Sequence, residues 1–291
     1  MPNNPIVKLI SGALELGKVR IALPIALSAA TGYIIEKGSF HWGFLFPFFA
    51  VLLLGCGAMA LNQVQERSLD ARMKRTAKRP LVSGRMSLQT AAYIITFYFL
   101  SGSAVLYFSA GWLALSLGIL TILSYNAMYT PLKRITAFAA VPGSVVGALP
   151  PVIGWVSAGG SIGDHRVWLL AAFFFIGQIP HFWLLLLKLG DDYAAAGLPS
   201  LNNLFSKLQI QRLSFIWIFW SAATALFMAF FGLILNQWVG IALLVGVVAV
   251  ILSFVNLLRP LKKEANYGLG FMKLNFFYLY VMILLWIDAL I

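Results

Sequence analysis

Asn62-Gln63-Val64-Gln65-Glu66-Arg67-Ser68-Leu69-Asp70-Ala71-Arg72-Met73-Lys74-Arg75-Thr76-Ala77-Lys78-Arg79-Pro80 follows directly on the apolar run 42–62 and precedes another that begins near Leu88. Asn62, Glu66 and Asp70 recur at every fourth position. If the apolar segment continues as a helix, their oxygens share one face. An open acidic helix end suits Mg2+, which is commonly held by one or two carboxylates and takes its remaining oxygens from water and substrate phosphates. Arg72, Lys74, Arg75, Lys78 and Arg79 follow at once and can neutralise phosphate oxygens, Arg through forked hydrogen bonds and Lys as a point charge. Pro80 ends the pattern. A loop that only fixes topology would account for the cations, but not for carboxylates in register at a membrane boundary.

The rest of the chain explains why such a segment stands out. Of 291 residues 61% are hydrophobic and 10% charged, and the mean hydropathy is +0.89. Soluble globular chains carry about 25% charged residues, so the class is integral membrane. Nine apolar runs are long enough to cross roughly 30 Å of hydrocarbon: approximately 19–36, 42–62, 88–109, 111–129, 137–158, 166–188, 210–233, 238–258 and 271–290. The expected fold is all-α, with nine transmembrane helices forming one membrane domain over 1–291. Residues 1–18 form a tail or a short interfacial helix.

A net charge of +12 would suggest nucleic acid in a soluble protein. Here the cations lie in short loops, which speaks for topology and against a nucleic-acid partner. Nineteen of the 21 Lys and Arg residues fall in the N-terminal tail and the loops after even-numbered runs; Lys37 and Arg166 are the exceptions. The N-terminus and those loops are therefore expected in the cytoplasm, with the C-terminus across the membrane. The single Cys56 gives no disulfide or thiolate cluster.

Two further polar clusters fall on the same expected side. One is Tyr129-Thr130-Pro131-Leu132-Lys133-Arg134, whose two cations can reach a phosphate. The other closes run six: Gln178-Ile179-Pro180-His181-Phe182-Trp183, then Lys188, Asp191, Asp192 and Tyr193. On one continuous helix His181, Lys188 and Asp192 share a face, and polar groups sharing a face inside a membrane domain usually line a cavity. Two acidic clusters facing each other would clamp a metal-bound diphosphate.

In this order the motifs resemble the UbiA-type intramembrane prenyltransferases, and within them the protohaem IX farnesyltransferase (haem O synthase) branch. The carriers are Asn62-x3-Glu66-x3-Asp70 with Met73 to Leu81, Tyr129 to Arg134, Pro150-Pro151 with Gly154-Trp155, Gln178 to Phe182, and Asp191-Asp192-Tyr193 with Gly197 and Pro199. Three departures stand out. Glu66 replaces a common Asp, Lys188 with adjacent Asp191 and Asp192 replaces two aspartates four apart, and Ser200 to Asn203 replaces a more apolar continuation.

The resemblance implies nine helices around a central cavity in a plasma (inner) membrane. It implies Mg2+-dependent transfer of farnesyl from farnesyl diphosphate to a vinyl group of haem b. Asn62, Glu66 and Asp70 would hold the metal, with Lys188, Asp191 and Asp192 as the opposing catalytic cluster. Arg72, Lys74, Arg75, Lys78, Arg79, Lys133 and Arg134 would contact diphosphate, and His181, Tyr129 and Tyr193 the acceptor. A haem A synthase or terminal-oxidase assembly partner would follow. Prenyl transfer to an aromatic or quinone precursor and ion-coupled transport are the competing readings.

Overall fold

The computed structural model describes residues 5–259 and 266–291, and the side chain of Asp191 lies outside what is described. The helices are α1 (Pro5–Leu16), α2 (Val19–Lys37), α3 (Leu45–Gln65), the single turn α4 (Arg67–Asp70), α5 (Leu88–Leu123), α6 (Thr130–Leu132), α7 (Ala140–Gly143), α8 (Val145–Ser157), α9 (His165–Ala195), α10 (Lys207–Phe230), α11 (Gln237–Phe254) and α12 (Tyr267–Leu290). A π-helical turn, Ser124–Tyr129, joins α5 to α6. There is no strand among the described residues.

Eight helices are long and apolar enough to cross a membrane. One of them, Leu88–Leu132, has 45 residues, about 68 Å at 1.5 Å per residue and twice the hydrocarbon thickness. It is a hairpin. Gly111 adopts φ 76°, a conformation that favours glycine, and Leu106 packs on Gly118 across the bend, with Leu54 of α3 touching both Gly102 and Gly118. The described residues therefore make nine crossings, with the predicted break between 109 and 111 in place. The protein is a multi-pass membrane protein.

Close approach of α2 and α8 sets the centre of the bundle. A Cβ on Gly32 would stand 1.9 Å from the Pro151 carbonyl oxygen, and one on Gly154 would stand 1.7 Å from that of Ala29. Small residues allow such contact where lipid supplies no hydrophobic drive between helices. α9 follows α8, α10 and α11 pack in succession, and α12 returns to both α9 and α2. The ring is closed by Trp286, whose indole N–H donates to Thr31 Oγ1 at 2.9 Å.

The N-terminal segment is helical. Gln63 Nε2 donates to the Leu16 carbonyl (2.7 Å) and Tyr98 to that of Ala13 (3.1 Å), while Val7, Leu9, Ile10 and Leu14 remain exposed. An apolar outer face on a helix strapped across the bundle's basic end suits the membrane interface.

Candidate active site

The site is built where α3 ends. Asn62, Glu66 and Asp70 are 2%, 4% and 1% exposed. The expected continuous helix is interrupted at Glu66 (φ −107°, ψ 11°) and resumes as α4. The four-residue register survives because Glu66 N–H still donates to Asn62 O (3.0 Å) and Asp70 N–H to Glu66 O (2.8 Å). Buried carboxylates need counter-charge. Glu66 pairs with Lys133 and Asp70 with Arg79. Beyond the Lys133 ammonium, Glu66 Oε1 has no hydrogen-bond partner, and neither does the buried Asp70 Oδ1. Thr76 Oγ1 ties the following loop to the Asp70 carbonyl at 2.8 Å.

Lys18, absent from the sequence-derived set, joins this constellation. It links α1 to α2 with φ 48°, the one non-glycine positive φ among the described residues. Burial, reinforced by Arg79, lowers its pKa to about 7, against the opposing pull of Asp70 and Glu66. No carboxylate pairs with it among the described residues. Burial likewise lowers Lys133, with Glu66 working the other way. The only hint in the sequence was a basic residue one position before an apolar run.

The wall beyond the carboxylates is aromatic. The π turn presents Tyr125 and Tyr129 stacked at 5.7 Å, and Tyr129 stacks on Phe182 of α9 at 5.5 Å. Lys133 Nζ lies 5.7 Å over the Tyr129 ring. Such π turns concentrate at functional sites. Phe182, part of the run-six motif but not among the candidate site residues, belongs to this wall.

The second polar cluster divides. α9 bends at Leu189 (φ −115°, ψ 17°), so the face predicted to carry His181, Lys188 and Asp192 is not continuous. Asp192 turns to Arg75, 3.8 Å away. Met73 shares an apolar cluster with Ala196, Leu198 and Tyr193, so the loops after α3 and α9 cap the site together. Lys188 Nζ instead lies against Gly268 at the start of α12. His181 packs on Phe271 (4.2 Å) and bonds Asn275, both on α12. Arg134 spends a guanidinium nitrogen on the Gln65 carbonyl (2.7 Å), capping α3. Arg72, Lys74 and Lys78 are exposed, and none pairs with a carboxylate among the described residues. The structure thus brings together Asn62, Glu66, Asp70, Arg75, Arg79, Lys133, Asp192, Tyr129 and Tyr193.

Two carboxylates and one amide form an oxygen-only donor set, with spare acceptor capacity on Asp70. This fits a hard cation that completes its shell with phosphate oxygens. Among the described residues no three His, Cys, Asp or Glu side chains converge on one point, so a closed protein cage is absent there. A cavity of about 590 Å³ lies between Tyr33, His41, Phe46 and Phe108. That is toward the far end of α3, roughly 30 Å along the helix from the carboxylates.

A membrane bundle that buries paired carboxylates and cations beneath a loop cap at one end is built to handle an anionic head on an apolar substrate. The model of the UbiA prenyltransferase family matches residues 23–279. Along 97% of its length the chain is 35% identical to the protoheme IX farnesyltransferase of Oleidesulfovibrio alaskensis, 98% of which is covered. The fold is similar to the apo structure of a UbiA homolog from Aeropyrum pernix K1, with TM-score 0.75, 19% identity, and 94% and 99% of the two chains covered. It is also similar to a UbiA homolog from Archaeoglobus fulgidus bound to GPP and Mg2+, with TM-score 0.66, 13% identity and the same coverage. The chain belongs to the UbiA prenyltransferase family and is a prenyltransferase.

Proposed function

We propose that this prenyltransferase moves farnesyl from farnesyl diphosphate to a vinyl group of haem b, giving haem O. The observation that supports it most is the buried Glu66–Lys133 and Asp70–Arg79 pairs with unused carboxylate oxygen, in a chain similar over nearly its whole length to a protoheme IX farnesyltransferase. Asn62, Glu66 and Asp70 would hold Mg2+, as the Mg2+ bound with GPP in the Archaeoglobus homolog supports for the family. When bound, Mg2+ supplies Lewis-acid stabilisation of the departing diphosphate. Arg79, Lys133, Lys18 and Arg75 would share the remaining charge.

The allylic C1–O bond breaks with its electron pair on diphosphate, so fixed cations aimed at those oxygens lower the barrier. The vinyl π electrons form the new C–C bond, water adds to the resulting cation, and one proton is released. Tyr129 and Phe182 present π faces that stabilise the cationic stage and exclude water from its first carbon. His181, held by Phe271 and Asn275 of α12, would act on the acceptor. By the distribution of Lys and Arg, the capped end faces the cytoplasm of the cell whose inner membrane it spans.

The deciding experiment incubates the purified protein in nanodiscs with Mg2+, farnesyl diphosphate and haem b, with the porphyrin read by mass spectrometry. A hydroxyethylfarnesyl haem supports the reading. Diphosphate release without it moves the acceptor to an aromatic or quinone precursor, and no Mg2+-dependent release removes prenyl transfer altogether.

The cations separate by position. Arg79→Gln is expected to lower kcat/KM by about 10- to 100-fold, as loss of a charge-assisted contact does. Arg72→Gln, Lys74→Gln and Lys78→Gln should each stay within about twofold, the usual size of an exposed charge effect. An equal loss in all four variants would contradict this division.

Lys18 gives a pH dependence. With its pKa near 7, it is mostly neutral above that pH. A bound diphosphate favours the ammonium, so binding takes up a proton. KM for farnesyl diphosphate should therefore rise between pH 7 and 9, approaching about tenfold per unit. Lys18→Met should flatten the profile while raising KM at pH 7.

A further inference from the structure

Asn62 has an orientation problem. Its side chain offers a metal an oxygen only if the amide NH2 is turned the other way, and an amide is free to flip. The π turn resolves it. The π hydrogen bond runs from Thr130 N–H to the Tyr125 carbonyl. That carbonyl also receives the Thr130 hydroxyl proton, Oγ1 to O 2.9 Å.

Its single proton committed, Thr130 Oγ1 can only accept from Asn62. It does so, from Nδ2 at 3.1 Å. Among the described residues no protein donor meets Asn62 Oδ1. Thr130 is 1% exposed, so water does not compete for the hydroxyl. Asn126 and Gln65 hold the π turn on α3 through reciprocal bonds of 3.0 Å, and Asn126 Nδ2 also donates to Ala58 O at 2.9 Å. The hydroxyl is thereby fixed relative to the helix that carries Asn62.

We propose that Thr130 is a positioning residue: it locks the Asn62 amide so that Oδ1 joins Glu66 and Asp70 in receiving the metal of the metal-diphosphate. The inference rests on the donor-site reading above. The test measures free Mn2+ by electron paramagnetic resonance in the presence of unreactive farnesyl thiolodiphosphate, with no turnover involved.

Thr130→Val, which keeps the shape and removes the hydroxyl, should weaken Mn2+ binding about tenfold, the low end for partners that orient a metal ligand. Thr130→Ser should stay within about twofold of the unaltered protein, because the hydroxyl remains. In an Asn62→Ala background Thr130→Val should add nothing, since both act through one group. Unchanged binding in Thr130→Val, or a further loss on top of Asn62→Ala, overturns the proposal. If Thr130→Val does not fold, Thr130→Ser decides, and a tenfold loss there overturns it. An unaltered protein that binds no Mn2+ with the analogue removes the donor-site reading itself and this inference with it.

Discussion

Asp70→Asn is expected to lower kcat for prenyl transfer by roughly three orders of magnitude, at the scale of losing a main electrostatic stabiliser of the departing group. Asn has the same shape as Asp and keeps one oxygen, but the negative charge is gone. Two effects add. A metal held as proposed would lose one of its two carboxylates, and Arg79, without its buried counter-charge, would be drawn onto the ground-state diphosphate. KM should therefore change far less than kcat. Turnover by mass spectrometry, beside thermal unfolding in the same detergent, checks this. A folded Asp70→Asn protein within tenfold of normal kcat would remove Asp70 from the donor site.

Gly154→Ala should produce the largest structural effect of any single methyl group in the chain. The new Cβ would stand 1.7 Å from the Ala29 carbonyl oxygen, and a backbone atom in a packed helix cannot step aside as a side-chain tip can. α2 and α8 must separate, with loss of contact along the seam, including the reciprocal one at Gly32. A cost of about 3 kcal/mol follows for overpacking of this kind, or roughly 6–12 °C in melting temperature for a chain of this size. Gly240→Ala is the control, because a Cβ there has nothing within 4 Å. Equal melting temperatures for the two variants would show that the α2–α8 approach is not a close packing seam.

Elements whose signal is local were readable in the sequence. The hairpin at Gly111 was legible because two crossing-length runs met at a glycine. Asn62, Glu66 and Asp70 were legible because polar groups at helical spacing are costly in a membrane. Even there the helix breaks at Glu66, and the spacing survives through hydrogen bonds rather than through a continuous helix. What escaped depends on partners distant in the chain. Lys18 lies 52 residues before Asp70 and reaches it only when α1 is strapped across the bundle. Arg134 looks like a phosphate ligand until the end of α3 is placed beside it. His181 and Asp192 share a face on a helical wheel, but the bend at Leu189 sends one to α12 and the other to Arg75.

Thr31 and Trp286, whose hydrogen bond closes the ring, are 255 residues apart. At ribosomal speeds of about 5–20 residues per second, the first spanning helix waits roughly 13–50 s for the last. In that interval the side chains of the candidate donor site, from Lys18 to Asp192, have already been made, while the flank of α2 that will meet α12 still faces lipid or insertion machinery. A nascent chain therefore acquires these side chains well before the ring of helices is closed. Any truncation before Trp286 would leave the ring without that closing bond.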